Sequence, residues 1–224
     1  DAATLADAVA GATAGFCLAG VTPGSNRAME GNVGLAQSTL DAAAVAGAGR
    51  VFLFSTAAVY GGLPATLLET GPVAPVSPYG HAKLAMEQMA AHHAHPNTVL
   101  RLGNVAGADA ILGGWRTGFR LDQVPGGGTP LRSYIGPGVL ARVLGDLAAA
   151  RDLPTILNVA APGAVAMGAL LDAAGLGWAP QPATEKTLAN VTLDTTRLIR
   201  LTAFQPADST AAGIVADWQE GFDV

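Results

Sequence analysis

"RVFLFSTAAVYGG", residues 50–62, decides the fold. Its first part, 50–55, is a near-continuous apolar run that ends in hydroxyl side chains. An unbroken run of that length reads as a strand buried on both faces. Gly47 and Gly49 stand just before it and stop a long helix expected over 27–46, where apolar or small residues recur at helical spacing. Further upstream, "AGFCLAG" (14–20) is a short apolar strand, and residues 4–10 read as a short helix stopped by Gly11. Downstream come a Pro/Gly-rich loop (61–76), a helix from Pro78 to about His93, and the strand "NTVLRL" (97–102). A helix over about 137–151 and the strand "TILNVA" (155–160) follow. Apolar strands alternating with helices predict an α/β fold with a parallel sheet covered on both faces. Segments 103–136 and 161–224 carry many turns, short helices and prolines. They read as a smaller region capping one end of the sheet.

The totals fit that reading. A chain of 224 residues, half of them apolar, has room for one sizeable α/β domain with an appendage. A net charge of −5 with no basic run argues against a nucleic-acid partner. The apolar run from Ile156 to Leu171 is interrupted by Asn158, Pro162 and glycines, so no membrane span is expected. No signal peptide is read. Cys17 is the single cysteine. In its apolar surroundings it reads as a buried, inert thiol, and the lack of an internal disulfide suits a cytoplasmic location. "HHAH" (92–95) sits at a helix end before Pro96 and reads as capping, with no metal site expected.

In a sheet of this kind, ligands bind beyond the carboxyl ends of the strands. Three polar stretches fall there: "AGVTPGSN" (19–26), "STAAVYGG" (55–62) and "GNVAG" (103–107). Beside them lies "SPYGHAKLAMEQ" (77–88), which holds Lys83, one of only two lysines among 12 Lys and Arg residues. Ser77 is a good N-cap and Pro78 suits the first helical position. Tyr79 then lies in the first turn, with Lys83 one turn on along the same face. A free tyrosine, with a pKa of about 10, is a poor base. A nearby ammonium and a helix N-terminus both stabilise its phenolate. On spacing alone, an ordinary surface helix carrying a Tyr and a Lys is the simpler reading.

The wider context favours chemistry. "CLAG" after a strand, "STAAVYG", the block Glu-x-x-Pro-x-x-Pro-x-Ser-Pro-Tyr-Gly-x-x-Lys (69–83), "RLGNVAG", "RSYI", "ILNVAAPGAVAMGALL" and the terminal "DWQEGF" follow one another in order. Together they resemble the extended short-chain dehydrogenase/reductase superfamily, in its sugar-nucleotide epimerase/dehydratase branch. The resemblance implies a Rossmann-type doubly wound sheet over 1–102 and about 137–160, with a substrate-binding region over 103–136 and 161–224. It implies that Tyr79 is the general acid/base, that Lys83 lowers its pKa and binds a nicotinamide ribose, and that Thr56 is the third catalytic group. Ala19, Gly20 and Ser55 would line the cofactor, NAD or NADP. Asn104 would hold the substrate, and Arg132 would contact a diphosphate; as an isolated residue, Arg132 is equally a solvated surface arginine. The expected ligand is a small molecule, a nucleotide sugar among the candidates, with a homodimer left open.

The departures from the family are informative. Its 4,6-dehydratases follow the Thr with Asp and Glu, whereas here Ala57 and Ala58 stand there, so dehydration is not expected. "GPGV" (136–139) replaces the usual His-Val-Asp-Asp, and Leu35 and Ala36 end a stretch that otherwise resembles Asn-Val-x-Gly-Thr. The Gly-x-x-Gly-x-x-Gly turn that cradles a pyrophosphate is absent from this chain. Its first strands, glycine turn and helix are expected to precede Asp1 in a longer polypeptide. The expected activity is NAD(P)-dependent oxidation or epimerisation of a secondary alcohol. A reductase or dehydrogenase of a small carbonyl compound, and a non-catalytic nucleotide-sensing member of the fold, stay open as alternatives.

Overall fold

The structure, a computed structural model, describes residues 2–22, 28–63, 66–185 and 187–221. Part of the stretch 19–26 and Phe222 of "DWQEGF" lie outside the described residues. In chain order the elements begin with α1 (Ala2–Val9), β1 (Ala14–Cys17), α2 (Gly31–Ala46), β2 (Arg50–Thr56), α3 (Pro78–His92) and β3 (Asn97–Leu102). There follow β4 (Asn104–Val105), β5 (Arg120–Gln123), β6 (Leu131–Arg132), β7 (Tyr134–Ile135), α4 (Pro137–Ala149) and β8 (Ile156–Val159). The last are β9 (Val165–Ala166), α5 (Met167–Ala173), β10 (Ala179–Pro182), β11 (Asn190–Val191) and α6 (Ala211–Glu220).

The chain divides into two compact units. The first comprises 1–61, 72–102 and 148–157. Its sheet runs β1-β2-β3-β8, with β1, β2 and β3 mutually parallel and each joined to the next through a helix. The local reasons are those read from the sequence. Gly47 ends α2 in the left-handed region at φ 62°, which a residue with a β-carbon adopts only under strain. Gly49 has a different reason: a β-carbon there would lie 1.8 Å from the Thr13 carbonyl oxygen. Ser77 caps α3 by accepting the Gly80 N–H at 3.0 Å, and Pro78 opens the helix. The core packs Ala36, Leu40 and Ala43 of α2 and Met86 and Ala90 of α3 against Val51, Leu53 and Val99 of the strands. β1 lies at the edge of the sheet, with Phe16 stacked on Phe52 at 4.8 Å and still 37% exposed.

The second unit comprises 62–71, 103–147 and 158–224. It takes in 62–71, about 137–147 and 158–160, which the sequence reading assigns to the cofactor domain. Residues 62–71 fall in the second because Leu67 exchanges backbone hydrogen bonds with Thr192 and Asp194, and Asn158 Nδ2 donates to the Leu67 carbonyl at 2.8 Å. Most of α4 also belongs to it, since the Asp217 carboxylate accepts the N–H groups of Gly138 and Val139. Its sheets are small, β10-β5, β11-β6-β9 and β4-β7, and its core gathers Leu121, Tyr134, Leu170, Leu171, Ile214 and Val215. Among the described residues, no helix is long and apolar enough to cross a membrane.

Candidate active site

In the first unit, the carboxyl ends of β1 and β2 and the first two turns of α3 converge. Lys83 lies one turn past Tyr79, with its ammonium 5.9 Å from the centre of the Tyr79 ring. It is only 5% exposed, and Nζ donates to the Phe54 carbonyl of β2 at 2.8 Å. A β-carbon on Gly20, just past β1, would lie 3.3 Å from Lys83 Nζ and 3.3 Å from Asn32 Oδ1. The backbone after β1 therefore passes directly over the lysine. Ala19 and Gly20 are both exposed. Asn32 is fixed by a two-way exchange with the main chain of Val21, at 3.1 Å each way.

Thr56 ends β2. Its hydroxyl accepts the Ala58 N–H at 3.2 Å and so caps a 3₁₀ turn over Ala57–Tyr60. α3 packs on this turn: a β-carbon on Gly80 would lie 2.7 Å from the Ala58 carbonyl oxygen. The absence of a side chain at Gly80 is what lets the Tyr79 turn approach the strand end that carries Thr56. Ser55 is turned inward, 3% exposed, and donates to Glu87 Oε1 of α3 at 2.5 Å.

Burial governs the charge states. It pushes the Tyr79 hydroxyl above the usual tyrosine range and the Lys83 ammonium below the usual lysine range, the latter partly offset by Cys17. The resemblance implied a Tyr79 held low by Lys83. In the structure burial acts in the opposite direction and pushes the Tyr79 hydroxyl up.

Asn104 and Arg132 belong to the second unit. Asn104 hydrogen-bonds the Tyr134 hydroxyl, which itself donates to Asp109 at 2.5 Å. Arg132 donates to the carbonyls of Leu131 and Leu188, each at 2.7 Å. The three histidines of "HHAH" are separately engaged: His92 with the Gln88 carbonyl, His93 with Asp41, and His95 with the Gly49 carbonyl. Among the described residues, no cluster of three metal-ligating side chains is found.

The sequence reading passed over Glu87, Arg101 and Tyr60. Glu87 continues the Tyr79–Lys83 stripe at the same four-residue spacing. Arg101 is a charge inside the apolar strand "NTVLRL". A buried charge of that kind calls for a partner, and that was the available signal.

A parallel sheet with a Tyr-x-x-x-Lys helix beside its strand ends is the arrangement of extended short-chain dehydrogenase/reductase folds. A UDP-glucose-4-epimerase from Stenotrophomonas maltophila, solved with NAD and a formylated UDP-arabinopyranose, superposes with a TM-score of 0.77 at 20% identity, covering 100% of this chain and 81% of that one. A dTDP-glucose 4,6-dehydratase from Streptomyces venezuelae gives 0.73 at 22% identity, over 98% of this chain and 77% of that one. In sequence, residues 4–135 match the NAD dependent epimerase/dehydratase family, and the chain belongs to that family. A stretch of 69 residues is 45% identical to a UDP-glucose 4-epimerase of Azospirillum brasilense; it makes up 29% of this chain and spans 20% of that relative's length.

Proposed function

We propose that this chain carries the catalytic end of an NAD(P)-dependent enzyme that oxidises a secondary alcohol of a nucleotide sugar, with 4-epimerisation as the reaction. The observation that carries the reading is the buried Lys83, held by the Phe54 carbonyl beneath the Tyr79 ring and directly under the bare backbone of Gly20. That bare backbone is also what makes a nicotinamide cofactor fit, since a side chain at Gly20 would intrude on the lysine. Ala19 and Gly20 would line the cofactor through their backbone, and Lys83 would bind its ribose. When bound, the nicotinamide supplies the hydride acceptor and, for epimerisation, the donor that returns hydride to the other face.

The chain's own residues handle the proton. Tyr79 takes it from the substrate hydroxyl and gives it back, while Thr56 orients the oxygen from the end of β2. Burial pushes the Tyr79 hydroxyl up, so its work as a base would depend on positive charge beside it, from the Lys83 ammonium and a bound oxidised nicotinamide. Arg132, whose charge faces only carbonyl acceptors in the bonds described above, is the candidate for the diphosphate, and Asn104 for the sugar. Ala57 and Ala58 leave the turn after Thr56 without a carboxylate, so 4,6-dehydration is not part of this proposal.

The test is to incubate the full-length protein with NAD and UDP-hexoses, following absorbance at the reduced-nicotinamide band and the sugar products by chromatography. A UDP-glucose/UDP-galactose interconversion that Tyr79→Phe reduces at least about a hundredfold supports the reading. Formation of a 4-keto-6-deoxy sugar at enzymatic rate refutes the exclusion of dehydration. An inert protein refutes the reading as a whole.

One observation favours a second reading. "GPGV" (136–139) forms the start of α4, and the Asp217 carboxylate occupies the N–H groups of Gly138 and Val139. That stretch therefore offers its helix start to a side chain of the protein itself, which suits a reductase or dehydrogenase of a smaller carbonyl substrate. Release of a ketone product in the same assay supports it.

A further inference from the structure

Tyr79, Lys83 and Glu87 lie at successive four-residue steps on one face of α3. The third of them is in none of the roles above. Glu87 is 4% exposed and grips Arg101 of β3 in a two-pronged pair: Nε to Oε1 at 3.1 Å and Nη2 to Oε2 at 2.6 Å. Arg101 is 3% exposed and is the direct cross-strand neighbour of Ser55, whose hydroxyl reaches the same carboxylate. The remaining arm of Arg101 donates to the Tyr60 hydroxyl at 2.9 Å, at the end of the turn that Thr56 caps. One carboxylate on α3 is thus tied to β2 at Ser55, to β3 at Arg101 and, through Arg101, to Tyr60.

The rest of the inner face of α3 is poorly suited to fix its own position. Its buried residues are Gly80, Lys83, Met86, Glu87 and Ala90, with Met89 partly buried against the core; of these, Met86 and Met89 are the large apolar ones, and Lys83 adds a single bond to the Phe54 carbonyl. Small side chains leave a helix free to shift along a sheet at low cost, whereas forked hydrogen bonds have a fixed geometry. A buried ion pair gives little net stability compared with apolar residues of similar size, so stability does not explain this one.

Resting on the function proposed above, we propose that Glu87, Arg101, Ser55 and Tyr60 form a positioning device. It sets the register of α3 against β2 and thereby places Tyr79 and Lys83 relative to Thr56. All four are buried side chains.

The test uses the full-length protein, in which this chain contributes three tyrosines, Tyr60, Tyr79 and Tyr134. Tyrosines labelled with 13C at Cζ are followed by NMR across alkaline pH, with the Tyr79 signal assigned by its loss in Tyr79→Phe. The variants are Ser55→Ala, which keeps the ion pair, and the double replacement Glu87→Leu with Arg101→Met, which exchanges the pair for apolar residues of similar size. A positioning role predicts that both move the Tyr79 shift and its titration midpoint while the Tyr134 signal stays put. It also predicts that kcat falls about tenfold or more with KM within about twofold, at unchanged or higher thermal stability. Ser55→Thr, which restores a hydroxyl, recovers the wild-type signal.

An unmoved Tyr79 titration in stably folded variants overturns the proposal, as does an undiminished kcat. If the double variant fails to fold, Ser55→Ala alone decides in the same way. The NMR arm needs no substrate, so it reads the device even if the wild-type protein turns over no nucleotide sugar and the functional reading fails.

Discussion

Lys83 is a cation kept where water barely reaches it, and that has a measurable consequence. Burial lowers its pKa in the folded chain below the ordinary value of 10.5. Between the lowered folded value and 10.5, the unfolded chain holds this proton and the folded chain does not, so folding becomes more favourable as pH rises through that window. Below it, both states are charged and the burial penalty is constant. Lys83→Met removes the penalty at every pH. The variant's melting temperature, relative to wild type, is therefore expected to be highest near neutral pH and to lose ground as pH climbs towards 10.5. Tyr79 acts in the opposite sense above its ordinary value of 10.0, because its folded pKa is raised, but it is present in both proteins and largely cancels. A melting-temperature difference that stays flat across the range argues against a desolvated Lys83.

At the scale of an element, α3 depends on its first turn. The Ser77 hydroxyl accepts the Gly80 N–H, one of the donors that a helix start leaves without a partner. Ser77→Ala is expected to cost about 1 kcal/mol in chemical denaturation, and Ser77→Asp to restore most of it. Tyr79 lies in the turn that would fray, so amide exchange should quicken at residues 79–81 before it does at Ala90. Equal exchange along the helix would mean that the cap does not hold this turn. The capping Ser77, the Pro78 start, the stop at Gly47 and the Tyr79–Lys83 spacing were all legible in the sequence. Each is written within a turn or two of chain. The short strands β4, β6, β7, β9 and β11 were not, since two-residue strands carry no periodicity to read.

The whole molecule sorts its chain into two units by long-range bonds. The segment 62–71 leaves the first unit straight after the turn that Thr56 caps and returns shortly before Tyr79. Asn158, fully buried, holds it: its side chain donates to the carbonyls of Leu67 at 2.8 Å and Asp194 at 3.0 Å, and its N–H donates to Glu69. Asn158→Ala removes both side-chain bonds, although the Leu67 carbonyl keeps the Asp194 N–H, and is expected to cost about 1–2 kcal/mol. Cleavage by a non-specific protease within 62–71 should rise with it. Protection of that segment unchanged from wild type would show that other bonds suffice to hold it.

The sequence by itself determined the alternation of strand and helix in the first unit, the ends of its helices, and the placing of Tyr79 and Lys83 on one helical face. These follow from backbone preferences and periodicities that act over a few residues. Only the tertiary structure decided which way Ser55 turns, that Glu87 meets Arg101, and that 62–71 joins the second unit. Each of those depends on which residues from distant stretches come to face one another. Ser55 and Thr56 are neighbours in sequence and look alike there. In a strand, adjacent side chains point to opposite faces, so the pairing of β2 with β3 and the seating of α3 give Ser55 to the interior and leave Thr56 at the strand end.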